Sequence, residues 1–369
     1  VKFLVTIVTK EICLLHSVLD LSELDTKIGR LFMAGIPGSS VDSGTEALIR
    51  DYGLGGVILF GRNIQDPVQL ATLCNDLQDM AMKYHGIPIF LSVDQEGGPV
   101  ARLKKPFTRF PGNRAIGEDP KPVDKAMEFA RITAREMSLV GLNMDLAPVI
   151  DVRRGEPERH LEGRIFSDNP EEVALLGRKV IEVLQENGVM AVAKHFPGLG
   201  KTSLDPHHHL PTIEADTLEM EEINIPPFKS AITARVSAVM TSHAIYPALD
   251  QGVPATLSHR ILTGLLRDSL NFNGLIMTDD LDMGAISKRW GVAEGAAASF
   301  EAGADILLIC GDQDGVLEGI EILRGKLIRD EIPFKRFRES LDRIKKTKTR
   351  FLKKTKKVSL DDVKDYFDL

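Results

Sequence analysis

Cysteine is scarce in this 369-residue chain: only Cys13, Cys74 and Cys310. An odd number of distant thiols rules out a disulfide framework and a thiolate metal site, and it fits a reducing, cytoplasmic compartment. An excess of positive charge is also missing. The formal net charge is −7, so no global field draws the molecule to nucleic acid or to an anionic membrane. No long apolar run is present either. Residues 3–8 are apolar, but Lys10 and Glu11 interrupt them and no small-residue cleavage site follows. A signal peptide needs roughly 7–15 unbroken apolar residues and a membrane span about 20. The first twenty residues therefore read as an extra N-terminal segment. A Gly-x-Gly-x-x-Gly fingerprint after an early strand is lacking as well, which removes the usual reason to expect an open dinucleotide-binding sheet.

What the chain does have is alternation. Short apolar, β-branched runs occur at 31–36, 56–60, 88–94, 143–149, 190–195, 238–242, 274–278 and 305–310. Amphipathic helical patterns lie between them, at 66–84, 121–140, 170–187, 226–235, 258–270 and 292–302. Strand and helix in eight-fold alternation predict parallel pairing with helical crossovers. The expected fold class is α/β, a single-domain (β/α)8 TIM-type barrel. The barrel is placed at 26–332, with an N-terminal extension at 1–25. A C-terminal segment at 333–369 carries a basic helix, read as a docked helix with a solvated face, and an acidic tail expected to fray.

Polar residues crowd just beyond the runs: Asp94, Gln95 and Glu96 after the third, and Asp145 and Asp151 around the end of the fourth. Lys194 and His195 end the fifth, His243 follows the sixth, and Asp279 and Asp280 follow the seventh. In a barrel these strand ends share one face, where catalytic groups gather.

Two stretches carry the chemistry. In KHFPGLGKTSLDPHHHLP, 194–211, glycine and proline exclude regular structure. Asp205 and His207 stand two residues apart and share a side if the backbone is extended. A carboxylate beside an imidazole fixes the tautomer and raises proton affinity, which suits a general acid/base. Consecutive histidines diverge, so His207, His208 and His209 do not read as a metal cluster, and no metal or cofactor is expected. In GLIMTDDLDMGAI, 274–286, an apolar strand presents Asp279 at its tip. A carboxylate so placed can attack an anomeric carbon. The competing role for Asp279 or Asp280 is to cap the following helix.

These stretches, with GGVILFGRNI at 55–64, SVDQEGGPVAR at 92–102, FTRFPGNRAIG at 107–117, LAPVIDV at 146–152, EGRIFS at 162–167 and VMTSHAIYPALD at 239–250, resemble family 3 glycoside hydrolases. The resemblance is to the single-domain β-N-acetylglucosaminidases of bacterial cell-wall recycling. It implies retaining hydrolysis of terminal β-linked N-acetylglucosamine, with muropeptide fragments as the carbohydrate partner. By motif it implies Asp279 as nucleophile, His207 as acid/base with Asp205 as its partner, and substrate contacts from Asp94, Arg102, Arg164, Lys194 and His195. A phosphorylase using the same residues and a β-glucosidase are the alternatives, beside a catalytically silent barrel, against which the joint presence of Asp205, His207 and Asp279 argues. The molecule is expected to be a monomer or weak dimer. Pro99, Leu199 and Lys201 depart from the family's usual Arg, His and Asp. The resemblance also implies a mobile acid/base loop, with Gly198 and Gly200 as its flexible points.

Overall fold

A computed structural model describes residues 21–155, 159–202, 204–353 and 357–369; the reading of the first twenty residues falls outside these. Eight parallel strands run β1 (Phe32–Gly35), β2 (Gly56–Leu59), β3 (Phe90–Val93), β4 (Met144–Asp145), β5 (Met190–Phe196), β6 (Ala238–Thr241), β7 (Leu275–Met277) and β8 (Leu307–Ile309). Each pairs with its neighbour in sequence, and β8 returns to β1 in the register Phe32 to Leu307. The β7–β8 seam is joined by a bridge from Met277 to Ile306. There Thr278 N–H donates to the Ile306 carbonyl at 3.0 Å and Asp305 N–H to that of Ile276 at 2.7 Å. Closure of the sheet excludes the open alternative.

Local chemistry sets the crossover helices. Pro67–His85 and Pro170–Glu186 each open on proline, behind Asp66 and Asn169, whose side chains accept from the first-turn N–H groups. Proline costs nothing where the N–H would lack an intrahelical partner. Along Pro170–Glu186, Val173, Leu176, Val180, Ile181 and Leu184 are buried. Their spacing forms one apolar stripe laid on the strands. The fourth run is shorter than its sequence suggested. The ladder holds at Met144–Asp145 and resumes at Val149, which bridges Lys194. Between them Pro148 offers no N–H, although its carbonyl accepts from Lys194 N–H at 3.2 Å.

The helix Phe334–Leu352 seals the end of the barrel where the strands begin. Its basic residues are not simply a solvated face. Arg336, Ser340 and Arg343 converge on buried Asp305 together with Arg267, whose Nη2 lies 2.6 Å from Oδ2. Lys348 Nζ donates to the Gly55 carbonyl at 3.0 Å and sits 4.8 Å from the centre of the Phe90 ring. The acidic tail does not fray either. Residues Leu360–Phe367 form a helix, Val363 is buried, and the Phe367 ring meets Phe107 edge-on at 4.8 Å.

Asp305→Ala should lower unfolding free energy by roughly 3–5 kcal/mol, because three guanidinium groups lose a buried counter-charge at once. Urea unfolding at neutral pH measures it; a change below about 1 kcal/mol would show that these ion pairs are solvated.

Candidate active site

The mouth is built at the opposite end, where β3 to β7 finish. Just past β3, Asp94 and Glu96 flank Gln95, and both reach the ammonium of Lys194 on β5, at 2.9 and 2.7 Å. Glu96 also takes Arg164 in a two-pronged pair, Nε to Oε2 at 2.8 Å and Nη2 to Oε1 at 2.9 Å. Burial works against charge on all three of Glu96, Arg164 and Lys194. Opposite charge outweighs it: Arg164 and Lys194 hold the Glu96 carboxyl below its ordinary range, Glu96 raises Arg164, and Asp94 with Glu96 raises Lys194. The third nitrogen of Arg164, Nη1, donates to the His160 carbonyl at 3.1 Å, so each of its nitrogens has a protein partner. Arg102 differs. Its Nη2 reaches Asp94 at 3.4 Å, while its buried Nε has no partner among the described residues.

Next to Lys194, the His195 ring is oriented by Asp151: Nδ1–H donates to Oδ2 at 2.8 Å. The other oxygen of Asp151 accepts the N–H groups of His195 and Leu199, at 3.2 and 2.7 Å. Leu199 is thus buried and held by its backbone. Lys201 pairs with Glu219 at 2.7 Å, and Pro99 packs near Gly163. Gly198 and Gly200 serve close approach here. A β-carbon at Gly198 would lie 2.6 Å from Asn224 Nδ2, and one at Gly200 only 1.8 Å from the Val152 carbonyl oxygen.

At the tip of β7, Asp279 accepts the N–H of Asp280 at 2.8 Å and is partly accessible. Burial alone would raise its pKa. The rings of His195 and His243, followed by Lys194, more than offset this and leave it below the ordinary value. His243, past β6, donates from Nε2 to the Asp280 carbonyl at 2.9 Å, with Nδ1 at 2.7 Å from the Thr256 hydroxyl. Burial lowers its pKa, against the pull of Asp279, and its Nε2–H braces the turn behind Asp279.

Neither aspartate caps the next helix. Asp280 Oδ1 accepts the N–H groups of Cys310 and Asp282, at 3.0 and 3.1 Å, tying the turn to the end of β8. Burial, with Asp282 adding to it, pushes the Asp280 pKa up to about 6. Because the folded state holds this proton more tightly than the unfolded chain does, the contribution to stability is present below the unfolded value of 3.8 and lost as pH rises to about 6. Asp280→Asn, which keeps the accepting oxygen and never ionises, should gain on the wild type by up to about 3 kcal/mol across that window. Denaturation series at pH 4, 5 and 7 test this; parallel curves for the two proteins would refute it.

The Asp205–His207 pair forms, but not on an extended backbone. Residues 205–209 turn, and Asp205 Oδ1 accepts both the His207 N–H at 2.9 Å and Nδ1–H at 2.6 Å. Burial opposes the Asp205 charge, yet these bonds hold its pKa below the usual value. The His207 ring is 57% exposed and lies edge-on to His160, centres 6.3 Å apart. A cavity of about 580 Å³ at the other end of the barrel, between Pro67–His85 and Phe334–Leu352, holds none of these groups.

A buried ion-paired layer, a carboxylate at a strand tip and an imidazole–carboxylate pair on a loop thus meet at one end of the barrel. The profile described as "Glycosyl hydrolase family 3 N terminal domain" matches residues 23–347. The chain belongs to glycosyl hydrolase family 3. Among its relatives, a beta-hexosaminidase A of Pseudoalteromonas piscicida is 37% identical over 278 residues, 71% of this chain and 46% of that protein. A beta-hexosaminidase of Tolumonas auensis is 34% identical over 294 residues, 78% of this chain and 86% of the relative. The chain thus spans under half of one relative and most of the other. A family 3 beta-N-acetylglucosaminidase from Paenibacillus sp. str. FPU-7 superposes with a TM-score of 0.88 at 37% identity, over 90% of this chain and 63% of that one. Native NagZ from Neisseria gonorrhoeae gives 0.73 at 29%, over 86% and 97%.

In this family 3 chain the structure brings Asp94, Arg102, Arg164, Lys194, His195 and Asp279 to one mouth, with His207 and Asp205 on a loop rooted there. Sequence reasoning placed Glu96, Asp151 and His243 at the strand ends but gave them no role in the site. Glu96 had a signal, standing two residues from Asp94 and so on the same side of an extended segment.

Proposed function

We propose that this protein removes terminal, non-reducing β-linked N-acetylglucosamine with retention of configuration, and that muropeptide fragments in the cytoplasm are its substrates. The observation that carries the reading is the imidazole–carboxylate pair on a loop of the same barrel that holds Asp279, so both halves of the reaction come from one chain. The names of the relatives, beta-hexosaminidase and beta-N-acetylglucosaminidase, support the sugar.

In this reading the sugar hydroxyls bind Asp94, Arg102 and Lys194, and His195 contributes the ring edge that Asp151 does not hold. Arg164 acts through Glu96, fixing the carboxylate that steers Lys194. Asp279, kept ionised by its imidazole and ammonium neighbours, attacks the anomeric carbon. His207, as imidazolium, gives its Nε2 proton to the departing glycosidic oxygen. Nδ1 stays bonded to Asp205, which stabilises the positive ring. The neutral ring then takes a proton from water, which attacks the glycosyl–Asp279 ester and frees the sugar and the carboxylate.

The test is hydrolysis of p-nitrophenyl N-acetyl-β-glucosaminide beside the β-glucoside, with and without phosphate. Turnover of the former alone, yielding free sugar in both buffers, is expected. Preference for the glucoside overturns the sugar assignment, and a sugar 1-phosphate product overturns water as acceptor.

A further inference from the structure

The helix Gly284–Trp290 begins five residues after Asp279 and has no side-chain cap; Met283 precedes it. The first N–H groups of any helix need acceptors. Here they find them on the His207 loop. Gly284 N–H donates to the His207 carbonyl at 3.0 Å and Ala285 N–H to that of Pro206 at 3.1 Å. Lys288 Nζ adds a bond to the His208 carbonyl at 3.0 Å. The loop's own backbone thus caps the helix that follows the nucleophile turn. The approach depends on residue 284 having no side chain. A β-carbon there would sit 2.9 Å from the His207 carbonyl oxygen and 3.2 Å from that of His208. Both are backbone atoms that can retreat only if the loop moves.

We propose that Gly284 and Lys288 are positioning residues, latching the His207 loop to the turn that carries Asp279 so that proton donor and nucleophile share one register. The proposal rests on the reading of His207 as acid/base. Among the described residues the loop's other anchors lie toward its ends, at Leu199–Lys201 and at Pro211–Ile213. Asp151 holds Leu199 N–H at 2.7 Å, and Ile213 N–H donates to the Ile245 carbonyl at 2.8 Å. Between those points the exposed His207 ring is not fixed by burial. Its height over the mouth is therefore set by the latch and by the edge-on contact with His160. A loop that slips by an ångström still binds sugar but misplaces the proton, and such errors cost turnover steeply.

The distinguishing signature is leaving-group dependence. Gly284→Ala should lower kcat/KM for an alkyl N-acetylglucosaminide by roughly 10-fold or more, yet change it less than about 2-fold for the 2,4-dinitrophenyl glycoside, which departs without a proton. In a His207→Ala background the same substitution should cost nothing further, since it acts only through that ring. Equal losses on both substrates, or additivity with His207→Ala, overturn the proposal. If Gly284→Ala does not fold, Lys288→Met stands in its place: a loss of 2-fold or more confined to the alkyl substrate supports the latch, and no loss overturns it. His207→Ala alone identifies the other failure, because leaving-group independence in that variant removes the acid/base reading itself.

Discussion

Asp279→Ala is expected to abolish turnover, by on the order of 10⁴-fold or more, while the protein stays folded and still binds N-acetylglucosamine. The fold should survive because, among the described residues, this carboxylate accepts only the adjacent Asp280 N–H. The turn itself is held by His243 on the Asp280 carbonyl and by Asp280 on Cys310 N–H. Turnover should not survive, since no neighbouring carboxylate can substitute. Asp280 is committed to two N–H groups and carries a raised pKa, and Glu96 is locked between Arg164 and Lys194. A 5-fluoro N-acetylglucosaminide should label Asp279 and no other residue by peptide mass spectrometry. A label on Asp280, or an alanine variant with most of its activity, would show that the nucleophile has been misassigned.

The second large effect belongs to His207. His207→Ala should slow cleavage of alkyl or sugar aglycones on the order of 10²–10⁴-fold and leave the first step with dinitrophenolate nearly unchanged. Asp205→Asn should act in the same direction and less, because the amide still orients the loop but no longer balances the imidazolium. His208→Ala and His209→Ala should be nearly silent: His208 contributes its carbonyl to Lys288, which alanine retains. Pre-steady-state bursts with the two substrate classes separate these steps; equal losses in both would assign His207 to binding or folding.

How much of this was legible beforehand depends on the range of the interaction. The barrel could be read because alternation is a local pattern, and each run ends where its polar residues begin. The same logic placed Asp94, Lys194, His195, His243 and Asp279 on one face. Pairings between strands could not be read. Asp151 meets His195 across 44 residues, and Arg164 meets Glu96 across 68; composition says nothing about which carboxylate finds which cation. Backbone partners were equally invisible. An aspartate followed by a helix suggested a cap at 279–280, but the cap comes from carbonyls almost eighty residues upstream. At the base of the barrel, the basic face of Phe334–Leu352 read as solvated because sequence cannot show that Asp305 waits beneath it.

Asp151 has a consequence beyond geometry. One carboxylate orients the ring of His195 and, through Leu199 N–H, roots the loop that bears His207. Under the proposed function, substrate grip and proton delivery therefore inherit the same heritable error. A change at Asp151 would disturb both at once. The strand that bears Asp279 lies outside this bond. Under the proposed function, change in the loop around His207 is therefore tolerable only where it leaves Asp205, His207 and the Asp151 anchor in place.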